Sequence, residues 1–299
     1  MRTRHAFLFS CLSSLVFFSQ ALFSHPPVKA QADETSRSWN RPVKPFRIIG
    51  NIYYVGANEI TSFLITTPRG HILLDSGFAE TVPIIKESLK QLGFKLEDIK
   101  ILINSQAHYD HAGGFALLKE LTGASLAASK ADAELISNGG KGDFTWGDKF
   151  SYQPAKVDRI LQDKDRVEIG GVTMTARLTP GHTKGCTTWT MKVREGGKQY
   201  DVVFVGSTTA PGYKLVDNPN YPNIAADYAY TFRLLKTLPC DVFLASHGSF
   251  FSLDEKRRRL EQGSRANPFI DPEEYRRYLA SSEKAHLEEL EKQKSNRSR

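Results

Sequence analysis

Residues 104–114, NSQAHYDHAGG, place Gln106, His108, Asp110 and His111 within six positions. Imidazole and carboxylate, with no cysteine at the key spacing, are the donors of a catalytic Zn²⁺ site in which an open position holds water; mononuclear iron accepts similar donors. The H-x-D-H spacing also suits two metals. Neighbouring side chains in a tight loop diverge, so His108 and His111 would address different ions. Four more polar stations complete the pattern: Asp75 before Ser76-Gly77, His182 at the end of TPGH, Ser207 after VVFV, and His247 after VFLA. Apart from His5 and His25, the chain has six histidines, and four of them occupy these stations. A lone histidine is more often structural, but four in turns beyond apolar strands point to metal-assisted hydrolysis. His71 reads as a strand-edge residue and His286 as a solvated helix residue.

Such a set works only if the fold gathers it. Residues 46–55, 62–66 and 71–75 are β-rich runs broken by Gly or Pro, and 100–104, 186–193, 201–205 and 241–245 read as further strands. Residues 167–169 and 172–178 flank Gly170-Gly171, a hairpin signal. Val82, Ile85, Leu89 and Leu92 recur at helical spacing and stop at Gly93. A second helix covers about 114–121, closed by Gly123, and Ile224, Tyr228, Phe232, Leu235 and Leu238 mark a third. Asp271-Pro272-Glu273-Glu274 supplies a capping oxygen, a proline for the first turn and acids for the positive end of a helix running to about Lys292. The elements fall into two groups of similar make-up. An α/β fold of two sheets face to face, with helices outside, buries both in one domain, residues 33–299. Each station lies at a strand end, so one edge of such layers can collect them all. The glycine-rich stretch 138–152 reads as a long surface loop of the kind that carries function, and 33–45 as an exposed lead.

The chain has 299 residues and is 40% apolar, ample for a core. Its first 32 residues read as a secretory signal: Arg2 and Arg4, an apolar run over 6–23, then Ala30-Gln31-Ala32 as a small-x-small cleavage site. Ser and Gln dilute the run as a membrane anchor, and the apolar stretch before Cys11 is too short for lipid attachment. Cleavage removes Arg2, Arg4 and Lys29 and no acid, lowering the formal charge from +7 to +4. That balance offers no case for nucleic acid, and Lys256-Arg257-Arg258-Arg259, with acids around it, reads as a solvated helical face. Export predicts a periplasmic or secreted protein, here expected as a monomer. Cys186 and Cys240 remain after cleavage and are expected as free buried thiols rather than a bridge.

The motifs LLDSG (73–77), QAHYDHAGG (106–114), TPGHTKGCTTW (179–189), GSTTAPGYKLVDNPNYPNI (206–224) and SHG around His247 resemble the metallo-β-lactamase superfamily. Within it they resemble the third subclass of true metallo-β-lactamases (subclass B3), over nearly all of the chain beyond the leader. The resemblance implies a four-layer αββα sandwich and one or two zinc ions. It implies one site from position 106, His108 and His182, and a second from Asp110, His111 and His247, with Asp75 orienting the ligand loop. Thioester and phosphodiester hydrolases of the superfamily usually carry a metal-bridging aspartate where Ser207 stands, so Ser207, the APGY stretch and the export signal favour a β-lactamase acting on penicillins, cephalosporins and carbapenems. Asp110 would hold the attacking water, Ser207 and Thr209 would donate to the substrate carboxylate, and Trp146 would either pack on the variable substituent or lie buried within its own loop. Cys186 is expected to pack on a strand beyond the ligand turn.

Gln106 departs from the usual histidine, as in a minority of that subclass. A neutral amide oxygen is a weaker zinc donor than imidazole, so occupancy is expected to favour the Asp110/His111/His247 site. Two alternatives stand beside the β-lactamase: another metal-dependent hydrolase of the same fold, a lactonase or thioesterase, and an exported metal-binding protein with weak catalysis.

Overall fold

A computed structural model describes residue 34 and residues 36–297. The expected leader, its cleavage site and Cys11 lie outside the described residues. Seven strands form the first sheet in sequence order: β1 (Phe46–Ile49), β2 (Ile52–Tyr54), β3 (Phe63–Ile65), β4 (His71–Leu74), β5 (Ile99–Ile103), β6 (Ser125–Ser129) and β7 (Arg159–Leu161). Pairing is antiparallel from β1 to β4 and parallel from β4 to β7. The second sheet runs β12 (Val242–Ala245), β11 (Lys198–Val205), β10 (Thr187–Glu195), β9 (Val172–Leu178) and β8 (Arg166–Ile169). Only β11 and β12 are parallel there.

Alternation along the strands explains why four layers form. In β4, Ile72 and Leu74 enter the core shared by the two sheets, whereas Leu73 faces the opposite way, into a second core. Phe63 and Ile65 against Leu64, and Ile103 against Leu102, repeat the split. Strands buried on both faces need a helix layer outside. It comes from α1 (Val82–Gln91), α3 (Phe115–Thr122) and α4 (Lys130–Ser137), which supply Val82, Ile85, Leu89, Phe115, Leu118 and Ile136 to the second core. The one-turn α2 (Tyr109–Ala112) lies in the histidine-rich segment beyond β5. On the far side, α5 (Ile224–Leu235), α6 (Leu253–Glu261) and α7 (Pro272–Arg297) cover the second sheet. Tyr275 of α7 donates to the Leu235 carbonyl at 2.9 Å and packs on Phe243 of β12. Each fully buried Leu or Ile contributes about 1.5–3 kcal/mol, and a one-residue slip would exchange the two faces of a strand, so the register that fixes the strand ends is strongly held.

The sandwich is the expected one, with differences of detail. The run 46–55 divides into β1 and β2 at Gly50 (φ 52°). The stretch 125–161 adds β6, α4 and β7, none of them expected. Residues 36–39 form a helical turn, and Trp39 reaches the large cavity instead of lying in an exposed lead. Lys256 is buried against Glu274 rather than solvated, because its position on α6 faces the start of α7, whereas Arg258 and Arg259 of the same run are exposed as expected. His286 is also buried rather than solvated: its ring lies 4.4 Å from that of Tyr228. His71 opens β4, a strand flanked on both sides, and is buried with Nδ1 3.3 Å from the Thr67 amide. Cys186 and Cys240 are free, Cys186 buried and Cys240 half-buried.

Candidate metal centre

The parallel pairs β4/β5 and β11/β12 deliver their ends to one edge of the sandwich. Asp75, just past β4, has φ 61°, a costly value for a residue with a side chain. Its carboxylate holds the segment beyond β5, accepting from the Ser105 amide at 2.7 Å and the Ser105 hydroxyl at 2.6 Å. The next residues turn sharply into α2, with His108 just before it and Asp110 and His111 inside. His247 follows β12, and His182 follows β9 across Thr179-Pro180-Gly181. Gly181, at φ 139°, lies so close to Tyr228 that a Cβ would sit 2.9 Å from its ring. No other residue fits this turn without displacing the tyrosine.

Two clusters result. In one, donor atoms of Asp110, His111 and His247 all lie within 4.8 Å of one another. Asp110 Oδ2 is 3.3 Å from His111 Nε2 and 3.5 Å from His247 Nε2. Burial opposes the Asp110 charge, but the surrounding imidazoles hold its carboxyl well below the usual range. Burial likewise opposes a charge on His111, yet Asp110 and Asp75 raise its imidazole to about 10. A buried carboxylate is tolerable only beside groups of opposite charge, and here the flanking imidazoles fill that role. In the second cluster His108 Nδ1 stands 3.1 Å from His182 Nε2. Burial, and then His108, push the His182 imidazole well below its usual value, which keeps it neutral. Gln106 is buried in the same segment, and its Oε1 has no hydrogen-bond partner.

Each of the four histidines turns its outer nitrogen toward an acceptor. His111 Nδ1 faces Asp75 at 3.5 Å, His247 Nδ1 faces Glu59 at 3.4 Å, and His108 Nε2 faces Asp143 at 3.3 Å. His182 Nδ1 donates to the Thr209 carbonyl at 2.8 Å. Outer acceptors of this kind fix the tautomer and aim of a metal-binding imidazole. Two imidazoles and a carboxylate fit Zn²⁺, with Asp110, His111 and His247 as the complete set. His108 and His182 with an unsatisfied amide oxygen make a poorer one.

Asp110, His108, His182, His247, Thr209 and Trp146 all line an open cavity of about 670 Å³. Aromatic walls come from Trp39, Phe150, Tyr152, Tyr213 and Phe250. Trp146 is half-buried, edge-on to Phe150 and Tyr213. Ser207 is buried, with its hydroxyl 3.2 Å from that of Thr209. Cys186 packs beneath with its sulfur 3.8 Å from the Ser207 carbonyl, and burial pushes its thiol up to about 12. Glu59, Asp143, Tyr213 and Trp39 were absent from the sequence-derived set. Asp143 lies in the glycine-rich loop that reads as functional, in an Asp-x-Thr turn pattern; nothing near Glu59 or Trp39 distinguishes either from a surface residue.

The family model described as the metallo-beta-lactamase superfamily matches residues 55–247. The fold is similar to that of the FEZ-1 metallo-beta-lactamase from Legionella gormanii, with TM-score 0.84 and 47% identity over 85% of this chain and 98% of that one. It is also similar to BJP-1, a subclass B3 metallo-beta-lactamase of Bradyrhizobium japonicum, with TM-score 0.81 and 38% identity over 86% of this chain and 97% of the other. A probable metallo-hydrolase of Burkholderia pseudomallei is 30% identical over 114 residues, which is 37% of this chain; the match spans only 38% of that relative's length.

Proposed function

Since the chain belongs to the metallo-β-lactamase superfamily, we propose that it is a zinc-dependent β-lactamase that opens the lactam amide of penicillins, cephalosporins and carbapenems. The observation that carries this reading is the Asp110/His111/His247 group on the floor of an aromatic-walled cavity, beside the His108/His182 pair. Ser207 brings a hydroxyl, not a carboxylate, to the end of β11, which sets this site apart from thioesterase-type sites. Likeness to two metallo-β-lactamases along almost their full length supports the same choice.

Gln106, His108 and His182 would hold one zinc ion, and Asp110, His111 and His247 the other, the second more tightly. When bound, zinc polarises the carbonyl and brings water to ionise near neutral pH. Ring opening adds one water: its oxygen bonds to the carbonyl carbon, the C–N bond breaks, and a proton passes to the nitrogen. Asp110, which lines the cavity, accepts a hydrogen bond from the attacking water and orients it, and the proton reaches the nitrogen from solvent. The Thr209 hydroxyl, held by Ser207, reaches the cavity and can donate to the substrate carboxylate. Trp39, Trp146 and Phe150 exclude water and offer apolar surface to the substituent. Asp75 keeps the ligand segment in place.

The leader reading places the protein outside the cytoplasm after cleavage near Ala32, acting as a monomer. Among the described residues, no helix is long and apolar enough to cross a membrane. The test is hydrolysis of a chromogenic cephalosporin, a penicillin and a carbapenem by the purified protein, with a thioester and a lactone as comparison. Activity should vanish with a chelator, return with zinc and resist serine-enzyme inactivators. Robust turnover of the thioester or lactone with none of any β-lactam would overturn the reading.

A further inference from the structure

The glycine-rich loop, residues 138–152, grips three successive residues of the ligand segment. Tyr152 donates its hydroxyl to the Ala107 carbonyl at 2.6 Å. Asp143 faces His108 at 3.3 Å. Phe150 stacks on Tyr109, with centroids 4.6 Å apart and planes 8° from parallel. Asp143 is the best fixed of the three contacts. Its Oδ1 accepts from the amides of Thr145 at 2.9 Å and Trp146 at 2.7 Å, and its backbone pairs with Gly147 in both directions. The turn therefore dictates where the other oxygen goes. Asp143 Oδ2 and His108 Nε2 are both buried, lie 3.3 Å apart, and have no hydrogen-bond partner elsewhere, so each is the nearest polar group that can satisfy the other once the imidazole proton is on Nε2.

A neutral imidazole carries one proton, on one nitrogen or the other. A fixed carboxylate oxygen at Nε2 favours the proton there and leaves the Nδ1 lone pair bare. That Nδ1 is the atom 3.1 Å from His182 Nε2, and His182 has its own proton held on Nδ1 by the Thr209 carbonyl. Two bare nitrogens then face one another across the first metal position. We propose that Asp143 is a positioning residue that sets the tautomer of His108 from the loop, so that the first zinc site is assembled only when the loop is docked. The consequence for zinc rests on the reading above that His108 and His182 are ligands; the tautomer argument does not. With glutamine at 106 the site has only these two imidazoles, so the loss of one is decisive.

Asp143→Asn tests this with almost no change of shape. An amide nitrogen cannot accept the Thr145 and Trp146 N–H groups, so the Asn oxygen must take the Oδ1 place. The NH₂ group then occupies the Oδ2 place and donates to His108 Nε2, which drives the imidazole proton to Nδ1. The measurement is the ring nitrogen shifts of histidine-labelled, metal-free full-length protein, with His108 assigned through His108→Gln, followed by zinc titration against a competing chelator. The wild type should carry the His108 proton on Nε2 and the variant on Nδ1. The weaker zinc equivalent should then lose about ten- to a hundredfold in affinity, and the stronger one should keep its affinity. Thermal unfolding of the variant should match the wild type, because the turn is kept. A wild-type His108 protonated on Nδ1 overturns the proposal with no variant needed, as does an unchanged tautomer or unchanged weaker-site affinity in Asp143→Asn. A tautomer switch in a protein that never binds zinc through His108 supports the positioning role and refutes the ligand reading instead.

Discussion

Glu59 Oε1 stands 3.4 Å from His247 Nδ1, and the same carboxylate is tied to Ser249 through the backbone amide at 3.2 Å and the hydroxyl at 2.5 Å. Nothing about Glu59 in the sequence marks it as part of a site. It comes from the segment between β2 and β3, whose Ile60 pairs with His247 in an isolated antiparallel bridge. That bridge carries the carboxylate to the rear of the imidazole. Glu59→Gln keeps the size and one acceptor oxygen but removes the charge that steadies the Nδ1 proton. The tighter zinc equivalent should weaken by about ten- to a hundredfold, with little change in melting temperature, as read by chelator competition and thermal unfolding. An unchanged zinc affinity would show that Glu59 serves only the Ser249 turn.

Asp110→Ala and His247→Ala each remove a donor, and their effect on β-lactam turnover should exceed the roughly 10–100-fold typical of an outer partner. His71→Ala should behave differently. His71 is buried at the start of β4, with its ring edge-on to Phe94 at 5.3 Å, so the variant should melt earlier while its zinc content and turnover per folded molecule persist. Steady-state kinetics beside zinc analysis on all three proteins decides the matter. Near-wild-type turnover in either ligand variant means that the site is misplaced.

The contrast between His71, Glu59 and the four clustered histidines shows what the sequence could reveal. Imidazoles in short turns beyond apolar runs are visible because residue type and local pattern coincide, and the strands that carry them are legible by alternation. Partners that meet those imidazoles through tertiary contact leave no such trace. Asp143 reaches His108 from 35 residues away, Glu59 reaches His247 across the bridge, and Trp39 packs on His247 from the N-terminal side. The missed elements have a local cause. β6 reads SLAAS, with no β-branched or aromatic residue, and owes its strand form to pairing with β5 and β7. His286 reads as solvated because its neighbours along α7 are polar almost throughout, and only the fold shows that Tyr228 covers this one position.

Asp132 predicts a pH effect on stability. Burial lifts its carboxyl to about 6, against the lowering pull of the Thr183 and Asn104 hydrogen bonds and of His108. The proton is held more tightly in the folded chain than in the unfolded one, where the ordinary value is 3.8. Stability from this group is therefore complete below about pH 4 and is lost as pH rises through about 6. At about 1.4 kcal/mol per unit, the loss amounts to roughly 3 kcal/mol. Asp132→Asn, being neutral throughout, should lack this term. Urea unfolding of metal-free wild type and variant at pH 5 and pH 7.5 should show the gap between them shift in the variant's favour at the higher pH. A constant gap would mean that Asp132 titrates normally in the fold.

Gln106→His should raise the number of zinc ions retained after dialysis. Gln106 is buried, with an amide oxygen that meets no donor, in the segment that also carries His108. An oxygen left unsatisfied in that position costs free energy unless a cation or a donor meets it, yet as a neutral ligand it gives zinc less than imidazole does. On the proposed ligand set, His108 and His182, 3.1 Å apart at their facing nitrogens, would carry the first site with weak support. A third imidazole would complete a familiar open zinc site with Zn–N distances of about 2.0–2.1 Å. The change leaves Asp110, His111 and His247 untouched, so the tighter equivalent serves as an internal reference. Turnover is a poorer readout, since a new imidazole at 106 has no acceptor assigned to its outer nitrogen and an unsupported ligand is easily misaimed. Elemental analysis of zinc per chain, on wild type and variant dialysed side by side, gives the answer. Two firmly held ions in the wild type would show that the amide does not weaken the first site.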